Sequence, residues 1–211
     1  MNADEWDERY ELAALDPTGR LWSSVPHQML QDLVRDLAPG RALDLAAGDG
    51  RNTLFLARRG WQVTAVDFSV QAIRIARHRA EEAGLQATWI VTDARGYHPW
   101  LQFDLVVVTY LHLAEAENRA MLAKAASWVA PGGHLLVLGH DKANLAGGAP
   151  GPRDADILYT TDLLEGCAVG LDILRCERVF RDSAIDPESP GEAAATAVDT
   201  LLFAVRPVVT S

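Results

Sequence analysis

The chain is poor in cysteine and has no long apolar run. Its two thiols, Cys167 and Cys176, lack metal-ligand spacing, so we interpret them as packed or idle reduced cysteines. No segment approaches the length of a membrane span, and the first eight residues are acidic where a signal peptide would be basic and then apolar. These absences predict a cytoplasmic protein with no membrane partner.

Positive charge is also scarce. The 19 Lys and Arg residues face 29 Asp and Glu residues, which gives a formal net charge of -10. Because nucleic-acid binding depends on Lys and Arg that neutralise phosphates, this balance disfavours a polyanionic partner. The 6 histidines show no metal-ligand spacing. We therefore expect neither nucleic acid nor metal, and no sequence feature indicates an oligomeric state.

The length of 211 residues fits one domain with a full α/β core. After Pro39-Gly40, apolar runs suited to buried parallel strands alternate with segments of helical periodicity. The predicted strands are 42–46, 62–66, 87–92, 105–109 and 135–139, and the predicted helices are 5–15, 26–37, 52–59, 69–83 and 116–129. The pattern indicates a doubly wound α/β domain, with residues 1–38 as a helical cover and residues 41–211 as the core.

The last part of the chain lacks the alternation of strands and helices. Residues 171–181 and 197–206 have the pattern of strands with no helix between them, so we expect an antiparallel hairpin at the sheet edge. Residues 141–156 and 182–195 are rich in Gly, Pro and acidic residues, which predicts two flexible loops.

The stretch from Ala42 to Asn52 carries the strongest functional signal. An apolar strand leads into a turn of small residues that opens a helix, a geometry in which backbone approaches a nucleotide-like ligand closely. The dinucleotide-binding fingerprint does not fit, because Ala46 stands at its first Gly and Arg51 at its third. A nucleotide-dependent oxidoreductase is therefore disfavoured.

The pattern Asp44-x-Ala46-x-Gly48-x-Gly50 resembles motif I of the class I S-adenosylmethionine-dependent methyltransferases. Ala46 replaces the family's usual Gly, and its methyl group should narrow the space beside the ligand without closing it. The resemblance implies a Rossmann-like α/β fold with a mostly parallel seven-stranded sheet and a reversed last strand. It also implies S-adenosylmethionine as cofactor and S-adenosylhomocysteine as product.

The ends of the next two strands extend the predicted cofactor site. Ligands of doubly wound sheets lie beyond the strand ends, where Asp67 can accept two hydrogen bonds from ribose hydroxyls. A helix cap is the alternative for Asp67, although Ser69 is better placed for it. By the resemblance, Asp93 receives the exocyclic amine of adenine and the amide of Ala94 meets a ring nitrogen; a turn-forming role is the alternative for Asp93. Phe68 covers adenine or acts as a helix staple.

Three more residues belong to the predicted cofactor set. Asn52 is expected near the amino-acid part of the cofactor. Asp44 is expected to hold the glycine turn or the ammonium group, since a buried carboxylate needs a partner. Thr109 ends the fourth strand in a segment that resembles the family's motif IV, whose end faces the methyl group. The segment lacks the Asn/Asp-Pro-Pro-aromatic tetrad of methyltransferases that act on base or glutamine amino groups.

Two histidines follow the fourth and fifth strands. These strands are neighbours in the family's fold, spaced about 4.8 Å apart, so we expect His112 and His140 to converge above the sulfonium. A histidine there removes a proton from the acceptor or orients it. The alternative is that both are solvated at the starts of loops.

Aromatic residues near the N-terminus resemble the cover of small-molecule methyltransferases related to thiopurine and tellurite-resistance enzymes. Aromatic side chains in such a cover exclude water and pack against the sulfonium. We expect Tyr10 and Trp22 to form this lid, with Tyr10 in the catalytic set and Trp22 in the cofactor set. Anchoring of the N-terminal helices to the core is the alternative for Trp22. Trp6 is expected to anchor the N-terminal helix instead.

The sequence thus predicts in-line transfer of a methyl group to a small-molecule acceptor. Because the sulfonium is already activated, holding the reactants in line supplies much of the rate. The sequence does not specify whether the acceptor atom is O, N, S or another chalcogen. A protein or peptide acceptor is a variant of the same prediction. The main alternative is a protein that senses S-adenosylmethionine or transfers a group other than methyl.

Overall fold

The computed structural model describes residues 2–15, 21, 25–147, 151–182 and 196–208. The chain divides into two units, Met1–His98 and Pro99–Ser211. The prediction that both belong to one domain stays a prediction.

The first unit is built on three parallel strands. Strands β1 (Arg41–Leu45) and β3 (Thr88–Val91) flank β2 (Gln62–Asp67), with Leu45 opposite Val66 and Asp67 opposite Val91. Because all three run in the same direction, their carboxyl ends lie along one edge of this sheet. The helices of the unit are α1 (Ala3–Ala14), α2 (Gln28–Val34), α3 (Arg51–Arg58) and α4 (Val70–Glu82), and a 3-10 turn covers Ala94–Gly96.

Local sequence explains where these elements begin. Asn2 and Glu5 form a capping box at the start of α1. Ser69 caps α4, because its hydroxyl oxygen accepts a hydrogen bond from the amide of Ala72 at 2.9 Å. The expectation that Ser69, rather than Asp67, caps this helix is confirmed.

The second unit is built on four strands in the order β4-β5-β7-β6. Strands β4 (Phe103–Thr109) and β5 (Val129–His140) are parallel, while β7 (Thr196–Val205) runs antiparallel to both β5 and β6 (Asp172–Asp182). The remaining elements are α5 (Glu115–Ser127), α6 (Asn144–Gly147), α7 (Thr161–Cys167) and a 3-10 turn over Ala155–Ile157. The predicted fold class, α/β with seven strands that are mostly parallel and a reversed last strand, is confirmed.

Two expectations about the second unit are wrong. Strand β5 begins at Val129 rather than near residue 135, because the pairing with β4 continues across a register shift between Phe103 and Leu105. The predicted loop 141–156 contains helix α6, which is held by Asn144. Its side chain donates to the carbonyl of Val198 at 2.7 Å and accepts from the amide of Val198 at 2.8 Å. Residues 148–150 and 183–195 of the two predicted loops lie outside the described residues.

Within the described ranges, no helix has both the length and the apolar character that a bilayer span requires. The same residues contain no group of three or more His, Cys, Asp or Glu side chains able to hold a metal ion.

Gly139 in β5 has no space for a side chain. A Cβ atom at Gly139 would lie 2.6 Å from Cε2 of Tyr159, whose ring is fully buried and whose hydroxyl donates to the carbonyl of Leu111 at 2.5 Å. We expect Gly139→Ala to lower the free energy of unfolding by about 1–3 kcal/mol through overpacking, measured by urea titration. Gly147→Ala is the matched control, because a Cβ there meets nothing within 4 Å. An equal effect of the two substitutions would contradict this account.

Candidate active site

The turn after β1 is a cradle shaped by left-handed backbone. Ala46 (φ 55°), Gly48 (φ 54°) and Gly50 (φ 83°) all have positive φ. A Cβ atom would lie 2.8 Å from the hydroxyl of Tyr10 at Gly48, and 2.8 Å from Cβ of Ala76 at Gly50. Gly50 is therefore required by space as well as by backbone conformation, and Gly48 is required by backbone conformation. Ala46 accepts a strain of roughly 1 kcal/mol.

Asp67, at the end of β2, ties this turn to the start of α4. One carboxylate oxygen accepts from the amide of Gly48 at 2.8 Å, and the other accepts from the amide of Ser69 at 2.9 Å. Burial raises the pKa of Asp67, and these amide hydrogen bonds oppose the rise. Because each carboxylate oxygen can accept a second hydrogen bond, the group retains acceptor capacity for a diol.

Asp44 is a fully buried carboxyl group inside β1. The hydroxyl of Thr53 donates to its Oδ2 at 2.6 Å, while its Oδ1 accepts no hydrogen bond within the described part of the chain. Burial raises the pKa of Asp44 to about 7, against the hydrogen bond from Thr53. A buried acceptor of this kind suits a ligand cation or a protonated carboxyl group.

The first turn of α3 follows the cradle directly. Gly50 is its N-cap residue and supplies no side-chain hydrogen bond, while Asn52 lies buried in the first turn. An α-helix N-terminus favours negative charge because its first amides point outward. Nearby, the guanidinium of Arg79 from α4 pairs with the buried carboxylate of Asp49 in the turn itself.

A cavity of about 530 Å³ opens in the first unit and is lined by Asn2, Ala3, Glu5, Phe68, Asp93 and Arg95. The carboxylate of Asp93 accepts from the amide of Arg95 at 2.8 Å and pairs with its guanidinium at 2.6 Å. The hydrogen bond from Arg95 lowers the pKa of Asp93. Asp93 therefore makes the contacts of a turn-forming residue. Its predicted contact with the exocyclic amine of adenine stays a prediction, as does the contact of the buried Ala94 with a ring nitrogen.

Helix α1 covers the cradle and is held there by a carboxylate. Oδ1 of Asp7 accepts from the hydroxyl of Ser69 at 2.5 Å and from the amide of Gln71 at 3.1 Å, so α1 is joined to the start of α4. Tyr10 is buried against Gly48, and its ring centroid is 6.0 Å from that of Trp6. Trp22 lies outside the described residues, so its predicted role stays a prediction.

The second unit brings His112 and His140 together. Their rings are stacked, with centroids 5.1 Å apart and planes 6° from parallel. Nδ1 of His112 lies 2.9 Å from the carbonyl oxygen of Ile157, and its Nε2 is buried with no hydrogen-bond partner among the described residues. Burial, with the charge of His140 beside it, lowers the pKa of His112 to about 4. The alternative of two solvated histidines does not fit this packing.

His140 faces a buried charge network. Its Nδ1 lies 3.3 Å from Oδ1 of Asp199. Asp199 also accepts from the hydroxyl of Tyr110 at 2.9 Å and from Nε of Arg181 at 2.5 Å. Tyr110 has a left-handed backbone (φ 54°) directly after β4, which is a strained conformation for a bulky residue. Thr109, the last residue of β4, is buried.

A family model described as a methyltransferase domain matches residues 42–133. The demethylmenaquinone methyltransferase of Thermus thermophilus is 36% identical over 110 residues, which are 51% of this chain and 50% of that protein. The chain spans about half of the length, or less, of the curated relatives it matches first.

Two solved structures share the fold over almost the whole chain. One, described as the conversion of a disulfide bond into a thioacetal group during echinomycin biosynthesis, has a TM-score of 0.75 and 25% identity, covering 99% of this chain and 93% of that one. The other is the N-methyltransferase NodS of Bradyrhizobium japonicum with S-adenosylhomocysteine, at a TM-score of 0.72 and 19% identity, covering 96% of this chain and 98% of that one. By these comparisons the chain is similar to methyltransferase domains over residues 42–133 and shares the fold of both solved structures.

In each unit, some residues with buried polar contacts are not predictable from the sequence. Asp199 carries the clearest signal, because a carboxylate inside the apolar run of β7 must have a partner. Arg181 is placed beside it only by the pairing of β6 with β7. Asp7 and Tyr110 have side chains typical of a solvated helix and a loop, so only the tertiary structure shows their contacts.

The buried Asp44 makes stability depend on pH. The folded state holds this proton up to about pH 7, whereas an unfolded Asp releases it near pH 4, so the stabilising contribution is lost as the pH rises from 4 to above 7. We expect the wild type to lose about 2–3 kcal/mol relative to Asp44→Asn between pH 5 and 8 in urea titrations. The exposed Asp36→Asn should show no such difference. A constant gap between wild type and Asp44→Asn would contradict the raised pKa.

The docking of α1 depends on Asp7. Removing its two hydrogen bonds in Asp7→Ala should destabilise the docked helix by about 1 kcal/mol, so amide exchange of residues 3–14 should quicken roughly fivefold. Hydrogen exchange followed by mass spectrometry measures this rate. Glu8→Ala is the matched control, because Glu8 is exposed on the same helix and its loss removes the same charge. Equal acceleration in the two variants would show that Asp7 does not hold α1.

Proposed function

We propose that this protein transfers the methyl group of S-adenosylmethionine to a small-molecule acceptor. The observation that carries the proposal is the cradle after β1, in which Ala46, Gly48 and Gly50 have left-handed backbone and Asp67 accepts a hydrogen bond from the amide of Gly48. A turn of small residues in this conformation lets backbone amides approach a ligand closely. The methyltransferase-domain match over residues 42–133 supports the same conclusion.

The residues present fit S-adenosylmethionine in each of its parts. Asp67 has acceptor capacity for the two ribose hydroxyls, and the cavity lined by Phe68 and Asp93 suits a flat adenine ring. The α3 N-terminus with Asn52 suits the carboxylate of the amino-acid part, and Asp44 suits its ammonium group. When bound, the cofactor supplies a methyl group on a sulfonium, which is already activated toward displacement.

The acceptor is proposed to be a small molecule for two reasons. The net charge of -10 opposes binding to a polyanion. The Thermus thermophilus relative is, by its name, a methyltransferase of demethylmenaquinone, which is a small molecule. We propose His112, His140 and Tyr10 as the catalytic set, with Tyr10 shielding the cradle from water.

Calorimetry tests the cofactor half of the proposal. Binding of S-adenosylmethionine and S-adenosylhomocysteine should be measurable for the wild type and weakened at least tenfold, or about 1.4 kcal/mol, in Asp67→Asn. The exposed Asp36→Asn should bind as the wild type does, and circular dichroism should show that both variants are folded. Absence of binding to the wild type, or full affinity in Asp67→Asn, would overturn the assignment.

An acceptor panel distinguishes methyl transfer from the alternatives. Phenols, thiols, amines and quinols are incubated with the full chain and S-adenosylmethionine, and S-adenosylhomocysteine is quantified. Its formation with at least one class supports methyl transfer. Tight cofactor binding without any product would instead favour a sensor or a different group transfer.

A further inference from the structure

A groove lies between helix α4 and strand β3 in the first unit. It has a volume of about 430 Å³ and is lined by Val91, at the end of β3, and by residues of α4 from Val70 to Glu81. The lining residues of α4 are spaced at i, i+3, i+4, i+7, i+8 and i+11, so they form one stripe along the helix. Such a stripe is about 16 Å long, which is the span of about five residues of extended chain.

Strand β3 has a free edge at this groove. Among the described residues it is the outermost strand of its sheet, with β2 as its neighbour. The amide of Thr92, directly after β3, donates to the carbonyl of Asp67 at 2.9 Å, so the backbone groups of Thr92 point toward β2. Because successive residues of a strand direct these groups to opposite sides, those of Trp89 and Val91 point away from β2. They are the groups with which an added strand would pair.

The floor of the groove is apolar. Val70 is 55% exposed and Val91 is 48% exposed, while Ile73, which also lines the groove, is buried. Exposed β-branched side chains beside a free strand edge offer apolar surface that an apolar side chain of an added strand would cover.

Two arginines of α4 give the groove positive charge. Arg74 and Arg77 line it and are exposed. Arg74 donates to the side-chain oxygen of Gln71 at 2.8 Å, and neither arginine forms an ion pair with a carboxylate in the part of the chain that the structure describes. On a chain with a net charge of -10, two such arginines on one helix stripe favour an occupant that carries carboxylates.

The other end of the stripe is less basic. The exposed Glu81 lines the groove there, and the imidazole of His78 lies 3.5 Å from the carboxylate of Glu82. An acidic occupant is therefore attracted at Arg74 and Arg77 and repelled at Glu81. This difference in charge gives the groove a preferred direction for an extended segment.

We propose that the groove binds an extended acidic segment of a partner protein, which adds to β3 as a further strand. Its carboxylates pair with Arg74 and Arg77, and an apolar side chain on the same face covers Val70 and Val91. A second copy of this chain, paired through the same edge, would bring another pair of arginines to the groove, which like-charge repulsion disfavours. The inference goes beyond methyl transfer and does not depend on it.

A model peptide tests the proposal. The probe is acetyl-Val-Thr-Glu-Thr-Glu-Thr-amide, whose valine and glutamates share one face of a strand. It is titrated into the isotope-labelled full chain, and the amide signals of Trp89 and Val91 are followed by NMR. We expect saturable shifts of both signals with a Kd of about 1 mM or lower. Replacing both glutamates by lysine, or methylating the backbone nitrogens so that they cannot donate to β3, should weaken binding at least about tenfold.

Two substitutions test the groove from the side of the protein. Arg77→Glu should weaken binding of the acidic peptide at least about fivefold, because it replaces attraction by repulsion. Arg58→Glu is the matched control, since Arg58 is an exposed arginine of α3 and its reversal changes the net charge equally. Val91→Pro removes an N–H that points away from β2, a position where proline is tolerated, and should abolish the shift of Trp89. Circular dichroism shows whether each variant is folded.

The outcomes distinguish a docked strand from other occupants. Absence of shifts at Trp89 and Val91, or equal binding of the acidic and lysine peptides, would overturn the proposal. Equal binding of the methylated peptide would show that the groove takes an anion without strand pairing, and would overturn it as well. Sedimentation velocity gives the last check, because a dimer that Arg77→Glu dissociates would mean that a second copy occupies the groove instead.

Discussion

Buried carboxylates that must be matched by donors organise the strand ends in both units. Asp67 can be buried because the amides of Gly48 and Ser69 point at its two oxygens. Asp199 can be buried because Tyr110 and Arg181 supply hydrogen bonds. Since an unpaired buried charge costs several kcal/mol, each carboxylate dictates the arrangement of the loops and strands around it. The same requirement makes these places suitable for chemistry.

Backbone strain occurs beside these carboxylates. Ala46 after β1 and Tyr110 after β4 are the described non-glycine residues with positive φ. A conformation that costs about 1 kcal/mol or more persists only where surrounding contacts hold it. For Tyr110, the hydrogen bond to Asp199 and the packing against His140, at 4.9 Å between ring centroids, supply those contacts. The left-handed backbone of Tyr110 directs its hydroxyl group toward the carboxylate of Asp199.

Much of the site follows from local patterns. The order of strands and helices, the glycine turn and the acidic strand ends are all visible in the sequence, because apolar periodicity and left-handed turns are properties of short segments. The hydrogen-bond partners of these acidic side chains cannot be predicted from local patterns. Asp93 has a turn-forming contact with Arg95, and Asp67 bonds to Gly48 across 19 positions, and these contacts depend on side-chain directions that no local pattern encodes.

The sequence by itself determined the fold class, the cradle at Gly48 and Gly50, and the presence of histidines after the fourth and fifth strands. Only the tertiary structure decided which histidine has a carboxylate behind it. That choice depends on the antiparallel register that sets His140 opposite Asp199, and on β6, which carries Arg181 to the same carboxylate. Register between distant strands arises from the packing of whole elements, so the chemical difference between His112 and His140 appears only in the folded chain.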